Sequence, residues 1–321
     1  MDPSTTVDPG RLKHPEAIYD KILRRSNGDR DAVPVQGVTR IYKDQFEHLM
    51  GLIKSNDKLY RSVARHVKFS FARNKLFYSF PDLVHRLFAG LLRSMIDTKI
   101  AEVAERYARR DADGNVLKNV ASAITQVRAI DIDGIDADGV WEFNWGSGAQ
   151  AKRLCFALDA AHAVDYNVAE RRMMRLMAAN KGRPGMAILV RMSNSRMELD
   201  HTKSEHKRAD YTILKVTQQN LDLGKKPYVF ISSRTRVKFR HKNGKERHGE
   251  LRIPIRDMIG SRHTVRDLIW SSHVRFVNED DPVTVAILEE DIVITHHELW
   301  MSLEMAENAH ARKLRALNQA S

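Results

Sequence analysis

Residues 235–255 read TRVKFRHKNGKERHGELRIPI, and the way this stretch pairs decides the architecture of the second half of the chain. Arg234, Arg236, Lys238, Arg240 and Lys242 fall at every second position, with Thr235, Val237, Phe239 and His241 between them. A period of two is the mark of a strand whose side chains alternate between faces. Asn243-Gly244 signals a turn, but a two-residue turn would pair Lys242 with Lys245 and mix apolar and charged residues on each face. A three-residue loop, Lys242 to Gly244 with Gly244 left-handed, sorts them: His241 meets Lys245, Arg240 meets Glu246, Arg236 meets Glu250, Thr235 meets Leu251 and Ile231 meets Ile255. The spacing therefore predicts a two-stranded ribbon, 227–242 with 246–256, apolar on one face and cationic on the other.

Such a face can be nothing more than the wet side of a half-buried sheet, with cross-strand ion pairs of little energetic weight. Two glutamates, Glu246 and Glu250, do not neutralise Arg234, Arg236, Lys238, Arg240, Lys242, Lys245, Arg247 and Arg252. The whole chain leans the same way: 53 Lys and Arg against 41 Asp and Glu give a formal charge of +12 and a pI near 9.7. The excess is concentrated, with ten cations against three acids in residues 51–100 and thirteen against five in 201–250. Clustered positive charge implies a polyanionic partner, nucleic acid first, and a two-stranded ribbon fits the major groove of duplex DNA. A weaker signal lies in the first island, where Lys54, Lys58, Arg61, Arg65 and Lys68 would draw one stripe along a helix and grip phosphates.

With 321 residues, 42% apolar, the chain can bury a sizeable core. Cys155 is its one cysteine, which excludes an intramolecular disulfide and a Cys-based zinc cluster and fits a reducing compartment. MDPSTTVDPG lacks the features of a signal peptide, and no apolar run approaches the roughly 18 residues that span a bilayer, so a soluble cytoplasmic protein with no membrane contact is expected. Helical periodicity dominates residues 1–126, including a long helix from about Pro81 to Arg110 with Val84, Leu87, Leu91, Met95, Val103 and Tyr107 inward and Gly114 as its stop. From 127 to 321 the expectation is an α/β DNA-binding domain. VRAIDI and VWEFNW form a hairpin with Trp141, Phe143 and Trp145 on one side, and helices follow at 149–163 and 168–180, the second capped by Asn167. Strands are expected near 186–192, 210–217, 227–242, 246–256, 274–278 and 283–294, before a final helix that opens with the capping box Thr295 to Glu298. The fold class is thus α+β, a helical N-terminal half and a β-rich C-terminal half with the basic ribbon.

Several catalytic or cofactor patterns are incomplete. GSGAQA (146–151) satisfies G-x-G-x-x-A ahead of an expected helix, yet no second strand ending in an acid follows, so a dinucleotide is not implied, although the helix start could face a phosphate through Lys152 or Arg153. DIDGIDADGVWE has Asp131, Asp133 and Glu142 at calcium-loop positions, but Asp136 replaces the required glycine. Asp200, His201, Glu205, His206 and Asp210 have no recognised metal spacing, and HHELW lacks the second histidine of a zinc protease. No catalytic residue, metal or cofactor is assigned.

The order of segments resembles the Tus family of replication terminators. ITQVRAIDIDGIDADGVWEFNWGSGAQAKRL (124–154) looks like that family's central strands, and TRVKFRHKNGKERHGELRIPIRDMI, TVRDLIWSSHVRF and PVTVAILEEDIVIT resemble its C-terminal ribbon and closing strands in the same order. The resemblance implies a monomer whose helical and β-rich parts together form a basic DNA-binding cleft, which binds one specific duplex terminator site and stops a replicative helicase arriving from one side, without being an enzyme. Arg236 and Val237 match the start of the family's ribbon, while Glu246 and His248 fall where it places base-reading glutamines. Glutamine reads adenine whereas glutamate accepts from cytosine, so a different target sequence is implied. The family's fork lock, a pocket for a flipped cytosine made by an aromatic and a histidine, has no counterpart in ADGNVLKNVASAIT (112–125). The expected contact set is Arg234, Arg236, Lys238, Arg240, Lys242, Glu246, Arg247, His248 and Arg252, with Lys152, Arg153, Arg183, Lys58, Arg61, Arg65 and Lys68 on phosphates. Rival readings are a plasmid or phage replication initiator or regulator, and a metal-dependent nuclease using Asp200, His206 and Asp210.

Overall fold

The computed structural model describes residues 9–26, 36–60, 68–72, 74–79, 83–114, 116–117, 119–127, 137–144, 152–162, 166–179, 185–192, 207–220, 228–233, 236–259 and 281–320. Contacts divide the chain into two units, Met1–Pro81 with Asp131–Asp136, and Asp82–Ile130 with Ala137–Ser321. Both mix helix and strand. Among the described residues no helix is long and apolar enough to cross a membrane.

The first unit contains helices α1 (Pro9–Ser26) and α2 (Lys43–Ser55) and three short strands, β1 (Gln36–Arg40), β2 (Lys68–Ala72) and β3 (Lys75–Ser79), in the antiparallel order β1-β3-β2. Ile18, Ile22, Ile41, Leu49, Ile53, Leu59 and Leu76 form its core. Asn74 takes φ +57 in the tight turn between β2 and β3, a left-handed conformation that asparagine tolerates better than most residues. This sheet replaces the purely helical bundle expected there, because strands of five residues carry too few positions to register as a period.

The second unit is built on a seven-stranded sheet. β6 (Ile124–Val127), β7 (Gly139–Asn144), β8 (Lys152–His162), β9 (Met186–Met192) and β10 (Ala209–Asn220) lie side by side. Both β11 (Tyr228–Ser233) and β12 (Val237–Arg240) then pair with β10, antiparallel. β7 supplies the second strand of the expected hairpin, with Trp141 and Phe143 fully buried, but its partner β6 ends at Val127, where VRAIDI was expected to begin; residues 128–132 and Trp145 lie outside the described residues. β8 corrects the helix expected at 149–163. It is antiparallel to β7 and parallel to β9, and Cys155 to Ala161 are all buried, so both faces are covered. A strand buried on both faces shows a continuous apolar run instead of alternation, and its three alanines favour helix on propensity alone. Helix α4 (Tyr166–Ala179), which starts before the expected cap Asn167, makes the crossover from β8 to β9, and its Arg172 pairs with the buried Asp159 of β8.

Over the sheet lies α3 (Leu83–Arg106), with Val84, Phe88, Leu92, Ile96, Ile100 and Val103 in the core. Val84 and Val103 are inward as expected, but between them Phe88, Leu92 and Ile96 take the buried positions one residue on from Leu87, Leu91 and Met95, and Leu87, Met95 and Tyr107 pack at the edge of the core. Gly114 is not the stop of this helix. At φ +81 it turns a minimal hairpin between β4 (Arg109–Arg110) and β5 (Val116–Leu117). Trp141 Nε1 donates to Asp97 of α3 at 2.6 Å, and burial, the largest influence, pushes that carboxyl above the usual range.

The closing segments hold a second surprise. β13 (Glu250–Pro254) and the short α5 (Ile255–Ile259) are followed by PVTVAILE, expected as a strand but folded as α6 (Pro282–Glu289). Asp281 caps it by accepting from Thr284 N at 3.1 Å, and Pro282 sits in the first turn, where a missing N–H is harmless. β14 (Asp291–Thr295) then leads into α7 (His296–Ala320). The capping box at its start is complete: Thr295 N donates to Glu298 Oε2 at 2.7 Å, and Glu298 N donates to Thr295 Oγ1 at 3.1 Å.

Candidate nucleic-acid interface

The quoted stretch begins as a strand whose partner is not its own continuation. Val237, Lys238 and Arg240 of β12 face Tyr211, Asp210 and Ala209 of β10, and Ile231 faces Val216. The predicted loop is nevertheless present: His241 N donates to Lys245 O at 2.9 Å, Gly244 N donates to His241 O at 3.0 Å, and Gly244 takes φ +82. Arg240 and Glu246 form the expected bridge, and Arg247 N donates to Phe239 O at 2.9 Å. There the ribbon stops. Gly249 at φ +148 turns the chain away, and β13 pairs with β14, so Glu250 faces Thr295 and Leu251 faces Ile294 in place of Arg236 and Thr235.

The two-faced strand also dissolves. Arg236 is exposed and Lys238 half-buried, but Phe239 is fully buried, stacked against Phe88 with ring centroids 6.4 Å apart. Arg240, expected beside the groove, is buried as well. Its guanidinium donates to Glu307 at 2.7 and 2.8 Å, to Glu304 at 2.6 Å and to Gly244 O at 3.3 Å. Trp300 Nε1 also donates to Gly244 O, at 2.8 Å. Arg240 thus ties the loop to α7 and presents nothing to solvent. Its role was hidden because alternation places it with its cationic neighbours, while the two acids that claim it lie more than sixty residues on.

What remains at the surface is the tip. Lys242, Lys245, Arg247 and His248 are exposed, and Lys207 joins them through its backbone N–H, which donates to Lys242 O at 3.2 Å. Among the described residues no carboxylate pairs with Lys207, Lys242, Lys245 or Arg247. Lys207 carries no sequence signal linking it to the loop. Arg252 is engaged with Glu250 at 2.6 Å and Asp291 at 3.4 Å. Glu246 holds His297 at 2.8 Å and lies 3.7 Å from the fully exposed His248. Glu246, His248, Gly249, Glu250, Arg252, Thr295 and His297 line a groove of about 560 Å³ beside the tip.

Beneath that groove His296 is nearly buried. Its Nδ1 donates to Arg247 O at 2.8 Å, and its Nε2 lies 3.2 Å from Tyr211 Oη, which donates to Glu250 O at 2.9 Å. Burial, the largest influence, lowers the His296 pKa and raises that of the Tyr211 hydroxyl to about 12.

The other expected contacts are described only in part. Lys58 is exposed in a helical segment, 57–60, that begins after Asn56, whose side chain accepts from Leu59 N at 3.0 Å, while Lys54 lies in α2 and Lys68 in β2, so these three do not share one helix. Lys152 and Arg153 open β8, so the helix start expected to face a phosphate is a strand, and their side chains lie outside the described residues, as do Arg61, Arg65, Arg183 and Arg234. Of the imagined metal ligands, Asp200, His201, Glu205 and His206 lie outside the description, and Asp210 is buried between Arg191 and Arg208 at 2.5 and 3.1 Å. Among the described residues no three His, Cys, Asp or Glu are placed to hold a metal ion. No family model, curated protein or solved structure matches the chain.

Proposed function

We propose that the protein binds duplex DNA, and that the tip formed by Lys242, Lys245 and Arg247 with Lys207 is the contacting element. The observation that carries this reading is the absence of any carboxylate partner, among the described residues, for four exposed cations gathered at the hairpin tip, three on the hairpin and Lys207 bonded to it. Unpaired cations held this close repel one another, and phosphates relieve that repulsion while releasing counterions. The narrower form of the proposal is a site-specific, monomeric replication terminator that halts a helicase, and it is supported by the order of segments resembling the Tus family. Within it the hairpin would be one wall of the DNA-binding cleft, with His248 exposed beside it; Glu246 would have to release His297 before accepting from a cytosine amino group. The nuclease alternative loses Asp210, whose carboxylate already serves two guanidinium groups.

The test is duplex binding by anisotropy for the wild type and for Lys242→Glu/Lys245→Glu, as a function of salt. The substitutions touch no core residue. We expect the wild type to select one asymmetric site at least about a thousandfold more tightly than a scramble. The double variant should lose at least about tenfold in affinity and flatten the salt slope by about two, at about 0.9 per phosphate contact. Unchanged affinity and slope would reject the tip as the contact.

A further inference from the structure

We infer that the terminal turns of α7 form a second phosphate-binding tract, in which Arg315 lies on the side of the helix that holds the hairpin tip. The inference deepens the DNA-binding reading and rests on it. Beyond Glu307 the helix carries Arg312, Lys313 and Arg315 and no acid up to Ala320, and all three cations are exposed. Lys43 and Lys99, by contrast, are balanced within one turn by Glu47 and Glu102. Here the positions three and four residues away hold Ala309, Ala311, Ala316, Leu317, Asn308, Asn318, Gln319 or His310, and Arg312 and Arg315 face each other as like charges, which weakens a helix. Complementing the helix dipole does not explain them, since that effect is confined to about the last turn and none of the three lies there.

Helical phase fixes which cations share a side with the hairpin. Trp300, Glu304 and Glu307 are the residues that hold Gly244 and Arg240, so they mark the face turned toward the tip. At about 100° per residue, Arg315 falls about 50° from the mean direction of those three, whereas Arg312 and Lys313 lie about 110° and 150° from it. Arg315 stands about 12 Å along the axis beyond Glu307, at about 1.5 Å per residue. That is the length of about three or four base pairs of duplex. A duplex seated on Lys242 and Lys245 and running along α7 therefore meets Arg315 beyond Glu304 and Glu307, whose carboxylates are held by the buried Arg240.

Arg315→Glu and Lys313→Glu make a matched pair, equal in charge change and different only in face. With the full chain and a labelled duplex, we expect Arg315→Glu to weaken binding about tenfold at roughly 0.1 M salt and to reduce the salt slope by about one. Lys313→Glu should keep the wild-type slope. Arg315→Gln against Lys313→Gln repeats the comparison without adding an acid, and thermal melts establish that each variant is folded. If the two positions behave alike while the wild type binds and Lys242→Glu/Lys245→Glu does not, the tract is wrong and the hairpin reading stands. If the wild type fails to bind duplex DNA, both fall.

Discussion

Asp210 and Arg240 sit on hydrogen-bonded neighbouring strands, each the buried hub of a three-member ion cluster, and the two clusters have opposite stoichiometry. Asp210, with no exposed side-chain surface, serves Arg191 and Arg208, whose side chains are 24% and 29% exposed. Arg240, 1% exposed, serves Glu304 and Glu307, at 27% and 29%. One cluster carries a surplus positive charge and the other a surplus negative one, and in both the surplus is held on arms that reach water. The lesson is that a cation's place in an alternating pattern does not assign its task. Lys242 and Lys245 stay outside and unpaired, while Arg240 between them and the core fastens a loop to a helix.

The comparison breaks most visibly when a hub is stranded. Replacing both arms, Glu304→Gln/Glu307→Gln, leaves a buried guanidinium without a counter-charge, and urea unfolding should show a loss of about 3 to 5 kcal/mol. Arg240→Met should cost less, because the freed glutamates can turn to water and only packing is disturbed. A smaller change is expected at the other hub. Asp210→Asn keeps the shape and one acceptor, and Arg191 and Arg208 can be hydrated, so about 1 to 3 kcal/mol should be lost; a cost equal to stranding Arg240 would sink the argument from solvent access. The smallest effect is in pH. His296 titrates in the folded protein below its ordinary value, so the unfolded chain takes up the proton first. Stability should be full above about pH 6.5 and should decline as pH falls from there through the lower folded value. Melting temperatures from pH 7.5 to 5.5 should show this for the wild type and a flatter profile for His296→Asn; parallel profiles would exclude His296 as the source.

Elements with a strong local signature were legible in the sequence. The capping box Thr295 to Glu298, the three-residue loop closed by Gly244 and the strand Met186–Met192 all depend on neighbours a few positions apart. What could not be read was decided by distant partners. Lys152–His162 has the composition of a helix and becomes a strand because β7 and β9 flank it. Pro282–Glu289 is an exception: its β-branched content suggests a strand, whereas the cap Asp281 and the first-turn Pro282 are local signals of the helix it forms. Residues 250–254 were expected to return along their own hairpin, but β14, some forty residues later, offers a wholly apolar partner in Ile292 and Ile294. At the candidate site the loop and its exposed lysines were foreseeable, whereas Lys207 and the burial of Arg240 were not, since both depend on contacts with other elements.

Packing of α3 against α7 has a consequence for how the second unit is made. Met95 and Ser302 touch across 207 residues of chain, and Tyr107 and Arg106 both bond Glu290. At about 5 to 20 residues per second, a ribosome completes α3 roughly 10 to 40 s before α7 exists to cover it. For that interval the nascent chain carries a finished apolar helix with one of its permanent neighbours still unsynthesised, so the second unit reaches its native form only after nearly all of it has been translated.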